Sequence, residues 1–241
     1  MKPVSTRTGN GGQSFVAVHA RLREAILDGE IAEGAVTSQA TLSERFGVGR
    51  TPLREALRML QREGLIISEP NQRVRVAGLS TEDAEELYIM RITLESVAIR
   101  LTVPVLTATD IAELEGYMAQ MDHYIKISDP VGYSRPHGAF HQRLVYAAGP
   151  RITAEIAEFF DHARRYHLRF GWPNPYEERR AEHRAILDAA ADHDPDLAAE
   201  LLASHYIHTV RLVFERLAPV DDLHRLRAAL AVVTPGVADR L

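Results

Sequence analysis

Cysteine is absent from this 241-residue chain, so disulfides and thiolate metal sites are excluded and sulfur chemistry says nothing about redox compartment. No apolar run reaches the length of a membrane-spanning helix, and the first residues are polar, rich in Gly and Ser, with no signal-peptide core. Positive charge is not in excess either. A net charge of −5 argues against a general nucleic-acid coat protein, while it permits a sequence-specific reader with a local basic patch. Tryptophan occurs once, as Trp172 in the Pro-rich run Gly171–Pro175, where packing against the end of a helical bundle is expected. From these absences a soluble, cytoplasmic protein with no membrane partner is expected.

The charge that is present is divided. Residues 1–78 hold 11 Lys and Arg against 8 Asp and Glu, and the rest of the chain holds 17 against 25, so a basic head precedes an acidic body. The length accommodates two small domains, each able to bury a core.

Within the head, Leu42 to Arg58 reads as two short helices joined at a glycine. Leu42 and Phe46 are the apolar residues of the first, Gly47 gives the backbone freedom for a sharp turn, and Val48 plugs the angle. Thr51 and Pro52 are expected to open the second helix as cap and first turn, with Glu55 four residues after Thr51. Leu53, Ala56, Leu57 and Leu60 form its buried stripe. Arg50, Arg54 and Arg58 recur at four-residue spacing on the other face. Arginines at a helix start suit entry into a major groove, bidentate to guanine edges or to phosphates, although taken alone the row also describes a solvated face. Upstream, Val16–Leu27 has mostly helical apolar spacing, closed by Asp28-Gly29-Glu30. Downstream, Leu65–Ser68 and Arg73–Val76 are expected strands around Glu69-Pro70-Asn71-Gln72. Three helices and a hairpin make a winged helix-turn-helix, predicted for residues 14–78. Residues 1–13 are expected to form a disordered arm, either solvated slack or a weak DNA contact.

The stretch from Leu22 to Val76 resembles the DNA-binding domain of the GntR family of bacterial transcription regulators. Its markers are Leu-Arg-Glu-Ala-Ile-Leu-Asp-Gly-Glu-Ile at 22–31, Arg50-Thr51-Pro52-Leu53-Arg54-Glu55-Ala56-Leu57, and Glu63-Gly64-Leu65. The resemblance implies that Arg50, Thr51 and Arg54 touch double-stranded DNA, supported by Arg45, with the wing hairpin and its Arg73 in or over the adjacent minor groove. Two positions depart from the family pattern. Gly49 stands where a serine or threonine often sits, which removes a hydroxyl contact, and Arg73 replaces the glycine usual near the wing tip.

From Ser80 the pattern is entirely helical. Ser80-Thr81-Glu82-Asp83 is a cap with an acidic first turn, and its helix is expected to run to about Val103, before Pro104. Breaks at Ser128-Asp129-Pro130, Gly149-Pro150, Gly171–Pro175, Asp194-Pro195 and Pro219 divide residues 79–232 into six or seven helices with short connections, leaving 233–241 as a tail. The fold class predicted is therefore mainly α, a winged helix-turn-helix followed by an all-α antiparallel bundle.

Ten of the eleven histidines lie in this body. His137 and His141, four apart, project from one helix face, while His183 lies on a later helix, Tyr176 to about Ala191, and His205 on the next. Four imidazoles from three helices are able to converge on a divalent transition metal; spacing alone equally describes ordinary surface or core histidines. Pro136 must start or kink the helix at His137, and His208 is a reserve ligand. Arg91, on the inner segment Leu87–Arg91, is the candidate cation for an effector carboxylate, its other reading being an ion pair with Glu95 one turn on. His162 and His167, with Arg164 and Arg165, are expected on a solvated or interface face of a Pro150–Phe170 helix, the alternative being that one of them lines the pocket.

A second resemblance covers the body. Ala139-Phe140-His141-Gln142-Arg143-Leu144 with Ala147-Ala148-Gly149, then Glu182-His183-Arg184-Ala185-Ile186-Leu187 and His205, together with Leu87-Tyr88, Arg91 and Glu95, resemble the FCD effector-binding domain of the FadR-like GntR subfamily. In many such domains an aspartate and three histidines hold Zn, Ni or a similar ion. The resemblance implies His141, His183 and His205 as the histidines, with His137 in the aspartate position; the alternatives are three histidines plus water or ligand, without His137, and a metal-free site. Four neutral imidazoles bring no negative charge, so an ion there would keep its full +2 and draw an anionic effector strongly; they also favour Zn, Ni or Cu over Mg or Mn. The function implied is a ligand-responsive transcription regulator, more often a repressor, whose homodimer matches a palindromic operator and whose effector is a small carboxylate such as a sugar acid or organic acid. The alternative is a metal-dependent hydrolase carrying a DNA-binding domain. With no His-Glu-x-x-His pair and no carboxylate evidently paired with the histidines, an enzyme is not expected.

Overall fold

The structure, a computed structural model, describes residues 14–170, 176–217 and 223–238. The expected arm at 1–13, the loop containing Trp172 and the break at Pro219 lie outside the described residues. The chain divides after Gly78 into two compact units.

In the first unit, helix α1 (Phe15–Leu27) starts where the Ser14 hydroxyl accepts from the Val16 amide, and it buries Val18, Leu22, Ala25, Ile26 and Leu27. A short strand, β1 (Val36–Ser38), ends at Ser38, which caps helix α2 (Gln39–Phe46) by accepting from the Thr41 amide at 3.0 Å. Gly47 sits at φ 63°, the left-handed conformation that ends a helix cheaply only for glycine, and the Gly47 and Val48 amides close back on Glu44 and Ser43. Helix α3 (Arg50–Arg62) buries Leu53, Ala56, Leu57 and Leu60 in one cluster with Leu22, Ile26, Leu42 and Val48. Strands β2 (Ile66–Glu69) and β3 (Arg73–Val76) pair antiparallel with Glu69 opposite Arg73, and β3 turns Val74 and Val76 into the same core.

Three details differ from the sequence expectation. First, β1 joins the free edge of β3, Ser38 opposite Arg73, giving a three-stranded sheet in the order β1-β3-β2. Three residues are too few to show an alternating pattern, and β1 acquires its partner only in the folded unit. Second, α3 begins two residues early: Gly49 is its N-cap and Arg50 its first residue, so Thr51 is not the cap. Third, the left-handed residues of the wing turn are Asn71 (φ 60°) and Gln72 (φ 56°). The position that a glycine would favour is thus Gln72, and Arg73 lies in regular strand; each such non-glycine residue costs roughly 1 kcal/mol of local strain.

The second unit is helical: α4 (Thr81–Thr102), α5 (Ala108–Lys126), α6 (Pro130–Arg143), α7 (Pro150–Phe170), α8 (Tyr176–Ala191), α9 (Pro195–Leu217), α10 (His224–Val233) and α11 (Pro235–Ala238). Three of the starts follow from local chemistry. The Ser80 hydroxyl accepts from the Asp83 amide to open α4, Thr107 and Asp110 form a reciprocal capping box on α5, and Asp129 caps α6 with Pro130 in its first turn. Helix α4 lies centrally, packed against α7, α9 and α10, while α5 packs on α6 and α8, and α8 on α9. Tyr88, Ile92, Ile99, Leu114, Phe140, Tyr166, Leu202 and Val210 belong to one continuous core, where a fully buried large apolar side chain contributes about 1.5–3 kcal/mol. Val237, in the stretch set aside as a tail, is buried in that core as well. Among the described residues, no helix is long and apolar enough to cross a membrane.

Candidate functional site

The first unit presents cations at the start of α3. Arg50, Thr51 and Arg54 are exposed, and the two arginines have no ion pair or side-chain hydrogen bond among the described residues. Arg58, next in the row, is instead tied to Glu55 at 2.7 Å. Because the Gly49 cap lends no side-chain acceptor, the first-turn amides point outward at the positive end of the helix dipole, a favourable place for a phosphate. Arg45 is exposed but partly held: its guanidinium lies 5.4 Å from the Phe46 ring and hydrogen-bonds the Glu30 carbonyl at 3.4 Å. Arg73 is exposed on β3, directly after the wing turn.

The second unit brings His137, His141, His183 and His205 together. All four are buried, and one ring nitrogen from each lies within 4.8 Å of the others. Helix α6 supplies the first pair, α8 His183 and α9 His205. Pro136 lies inside α6 without turning His137 out of the group: the His137 and His141 Nε2 atoms are 3.2 Å apart. Gly138 allows this packing, since a Cβ there would stand 3.0 Å from the Phe160 ring of α7.

The outward-facing nitrogens determine what the inward ones can do. His183 Nδ1 lies 2.8 Å from the Arg179 carbonyl, which can only accept, so the proton is on Nδ1. His205 Nδ1 likewise donates to the Glu182 carboxylate at 2.7 Å. Tyr206 gives its hydroxyl proton to Glu95 at 2.5 Å and therefore accepts from His141 Nδ1 at 3.1 Å. The Nε2 atoms of His141 and His183 consequently carry lone pairs, yet they face each other at 3.3 Å. Burial, then the neighbouring imidazoles, hold His137 and His141 well below the ordinary histidine value of 6.5, and burial with His205 does the same to His183. These three rings are neutral donors of electron pairs.

Other groups close around this point. Arg91 is buried, bound through Nε to Glu95 at 2.9 Å and centred 4.2 Å from the Tyr206 ring. The ion pair with Glu95 is thus formed; burial opposes the guanidinium's charge, but Glu95 and the tyrosines raise its pKa on balance. His167 takes the alternative place left open for this helix: it is buried rather than on a solvated or interface face, its ring 6.4 Å from that of His137 and its Nε2 3.3 Å from the Tyr88 hydroxyl. Burial and the nearby Arg91 push its pKa down to about 3. Arg165 is buried too, which leaves α7 more enclosed than its charged sequence implies. His208 lies outside the group, half-exposed and bound to Glu182 at 2.5 Å. Glu182 and Tyr206 escaped the sequence reading, although each adjoins a site histidine in the chain.

Comparison with known proteins agrees with both units. A family profile described as "Bacterial regulatory proteins, gntR family" matches residues 16–76, and one described as "FCD domain" matches residues 86–208. The chain is 24% identical over 198 residues to the HTH-type transcriptional regulator YdhC of Bacillus subtilis (strain 168), spanning 80% of this chain and 88% of YdhC. It is 31% identical over 132 residues to the gluconate operon transcriptional repressor of the same organism, spanning 55% of this chain and 54% of the repressor. Among solved structures, E. coli McbR/YncC has the same fold, with a TM-score of 0.74 at 22% identity over 85% of this chain and 98% of that one. These families and relatives are regulators, so the hydrolase alternative is set aside. The chain belongs to the GntR family of DNA-binding transcriptional regulators, with a GntR helix-turn-helix domain followed by an FCD domain.

Proposed function

We propose that this regulator holds one divalent transition metal, Zn or Ni, on His137, His141, His183 and His205, and that a small carboxylate effector, a sugar acid or organic acid, binds at or beside the ion. The observation that carries the reading is the pair of facing lone pairs on His141 and His183. A shared cation turns that repulsion into attraction. Spacing supports the same occupant, because a tetrahedral ion with Zn–N bonds near 2.0–2.1 Å sets its nitrogens about 3.3 Å apart, against 3.2 and 3.3 Å for the two contacts here. When bound, the ion would supply positive charge for an anion, which would bind it directly only by expanding the coordination beyond the four histidines. The chain's own contribution is Arg91, a cation buried beside His141 with its Nε fixed by Glu95, for which a carboxylate is a fitting partner. The gluconate operon repressor among the relatives favours a sugar acid and a repressing role, exercised in the cytoplasm.

A homodimer on a palindromic operator completes the reading, one α3 in each half-site. It is supported by an outer stripe on α4, where Met90, Val97 and Leu101 are exposed and Leu94 is half-buried with no charge among them, continued by exposed Val105 just beyond the helix end. The α4 spacing is symmetric about Val97 and Ala98, so an antiparallel copy would set Leu94 against Leu101, as an isologous contact requires. Regulation then demands that the effector bind the DNA-competent and incompetent arrangements with different affinity.

The experiment is elemental mass spectrometry of the purified, untagged chain beside His141→Ala, each after reconstitution with Zn(II) or Ni(II). About one ion per wild-type chain, lost in the variant, is expected. No ion in the wild type would refute the metal and leave the DNA reader intact.

A further inference from the structure

Glu182 has a position that a bystander carboxylate would not need. It sits one residue before His183 on α8, yet both of its oxygens reach across to α9, Oε2 to buried His205 at 2.7 Å and Oε1 to His208 at 2.5 Å. Its nearest inward neighbour is a histidine of the proposed metal group.

Resting on the metal reading above, we infer that Glu182 is the positioning residue of the centre: it fixes His205 with Nε2 inward and supplies, one hydrogen bond further out, the negative charge that position 137 lacks as a histidine. The three outer partners of the group are not equivalent. Arg179 offers His183 a neutral carbonyl. Tyr206 offers His141 a neutral phenol, and the Glu95 behind it already neutralises the buried guanidinium of Arg91 at 2.9 Å. Glu182 alone of these hydrogen-bonds a carboxylate directly to one of the four rings. Such a partner makes the opposite ring nitrogen more basic and removes the rotational freedom of the imidazole, and its loss typically weakens metal binding about 10–100-fold. Four histidines with a carboxylate behind one of them thereby approach the charge of three histidines and an acidic ligand, while keeping the nitrogen donors that select Zn or Ni.

Glu182→Gln and Glu182→Ala, made in the full chain, separate orientation from charge, since the amide oxygen of glutamine still accepts from His205 Nδ1. Zn(II) affinity is read by competition with a chromophoric chelator, and the His205 tautomer by nitrogen chemical shifts in the metal-free protein. The expected result is one Zn(II) per chain throughout, about 10-fold weaker in Glu182→Gln with Nδ1–H retained, and weaker again in Glu182→Ala with mixed tautomers. A circular dichroism spectrum matching wild type certifies the fold of each variant. Wild-type affinity in both folded variants would overturn the role of Glu182 while sparing the metal site; a wild-type chain that takes up no Zn(II) would overturn the site and the role together.

Discussion

The Nε2 atoms of His141 and His183 face each other at 3.3 Å although the other nitrogen of each ring is already committed as a donor, to Tyr206 and to the Arg179 carbonyl. Removing one ring removes both the repulsion and a ligand. His183→Ala is therefore expected to lose bound metal, and with it the metal-dependent part of stability. At a free Zn(II) concentration of 100 times Kd a one-site ligand adds about 2.7 kcal/mol, so wild type should show a clear rise in thermal midpoint on adding Zn(II) and His183→Ala none. A full shift in the variant would remove His183 from the site.

At the other end of the chain, two arginines one turn apart should behave differently. Arg54 is exposed with no ion pair among the described residues, whereas Arg58 is spent on Glu55 at 2.7 Å. Arg54→Ala is expected to weaken operator binding by about 1–3 kcal/mol, the size of a bidentate base contact. Arg58→Ala should fall within roughly 0.5 kcal/mol, as for most surface substitutions. Fluorescence anisotropy on one operator at fixed salt compares them, and equal losses would mean that Glu55 does not restrain Arg58.

Much of this was legible before folding because it is local. Ser80-Thr81-Glu82-Asp83 announces α4, Gly47 announces the turn, and the four-residue interval of His137 and His141 places both on one face. What escaped depends on distance along the chain or on context. Tyr206 and Glu95 are 111 residues apart and meet only when α9 packs on α4. His167 could only be left open between a solvated face and the pocket because Arg164, Arg165 and Arg169 surround it in sequence, and the interior beside His137 takes it in. Gly49 displaced Thr51 as the cap of α3 because a cap is set by backbone conformation, extended at Gly49, which glycine adopts as readily as a better capping residue.

Gly138 offers a packing test of the same centre. A methyl group there would stand 3.0 Å from Phe160 Cε1 and 3.2 Å from Cζ, closer than ordinary contact, while Phe160 is itself buried beside the His137 ring at 5.6 Å. Gly138→Ala gains helix propensity, worth up to about 1 kcal/mol, but must push α7 or the Phe160 ring aside, typically at about 1–3 kcal/mol. The expected sum is a lower urea midpoint, and Gly138→Ala with Phe160→Leu should recover part of it. A midpoint at or above wild type in the single variant would show that Phe160 yields freely.

Asp110 gives the clearest dependence on pH away from the histidines. Its carboxylate accepts from the Thr107 amide and hydroxyl at 2.6 and 2.7 Å and from Arg143 at 2.7 Å, so it is enclosed by its own partners at the start of α5. Thr107, then Arg143 and Tyr146, hold its pKa below the ordinary 3.8 against the effect of burial. As acid is added the unfolded chain takes up the proton first, so the stabilisation is complete above the unfolded value and is lost as pH falls through the lower folded one. Asp110→Asn should cost about 1 kcal/mol near neutrality, the scale of a helix cap. The gap between variant and wild type, followed by urea unfolding of the helical signal, should then close below about pH 4. A gap that persists unchanged at lower pH would mean that the amide fails by shape rather than by charge.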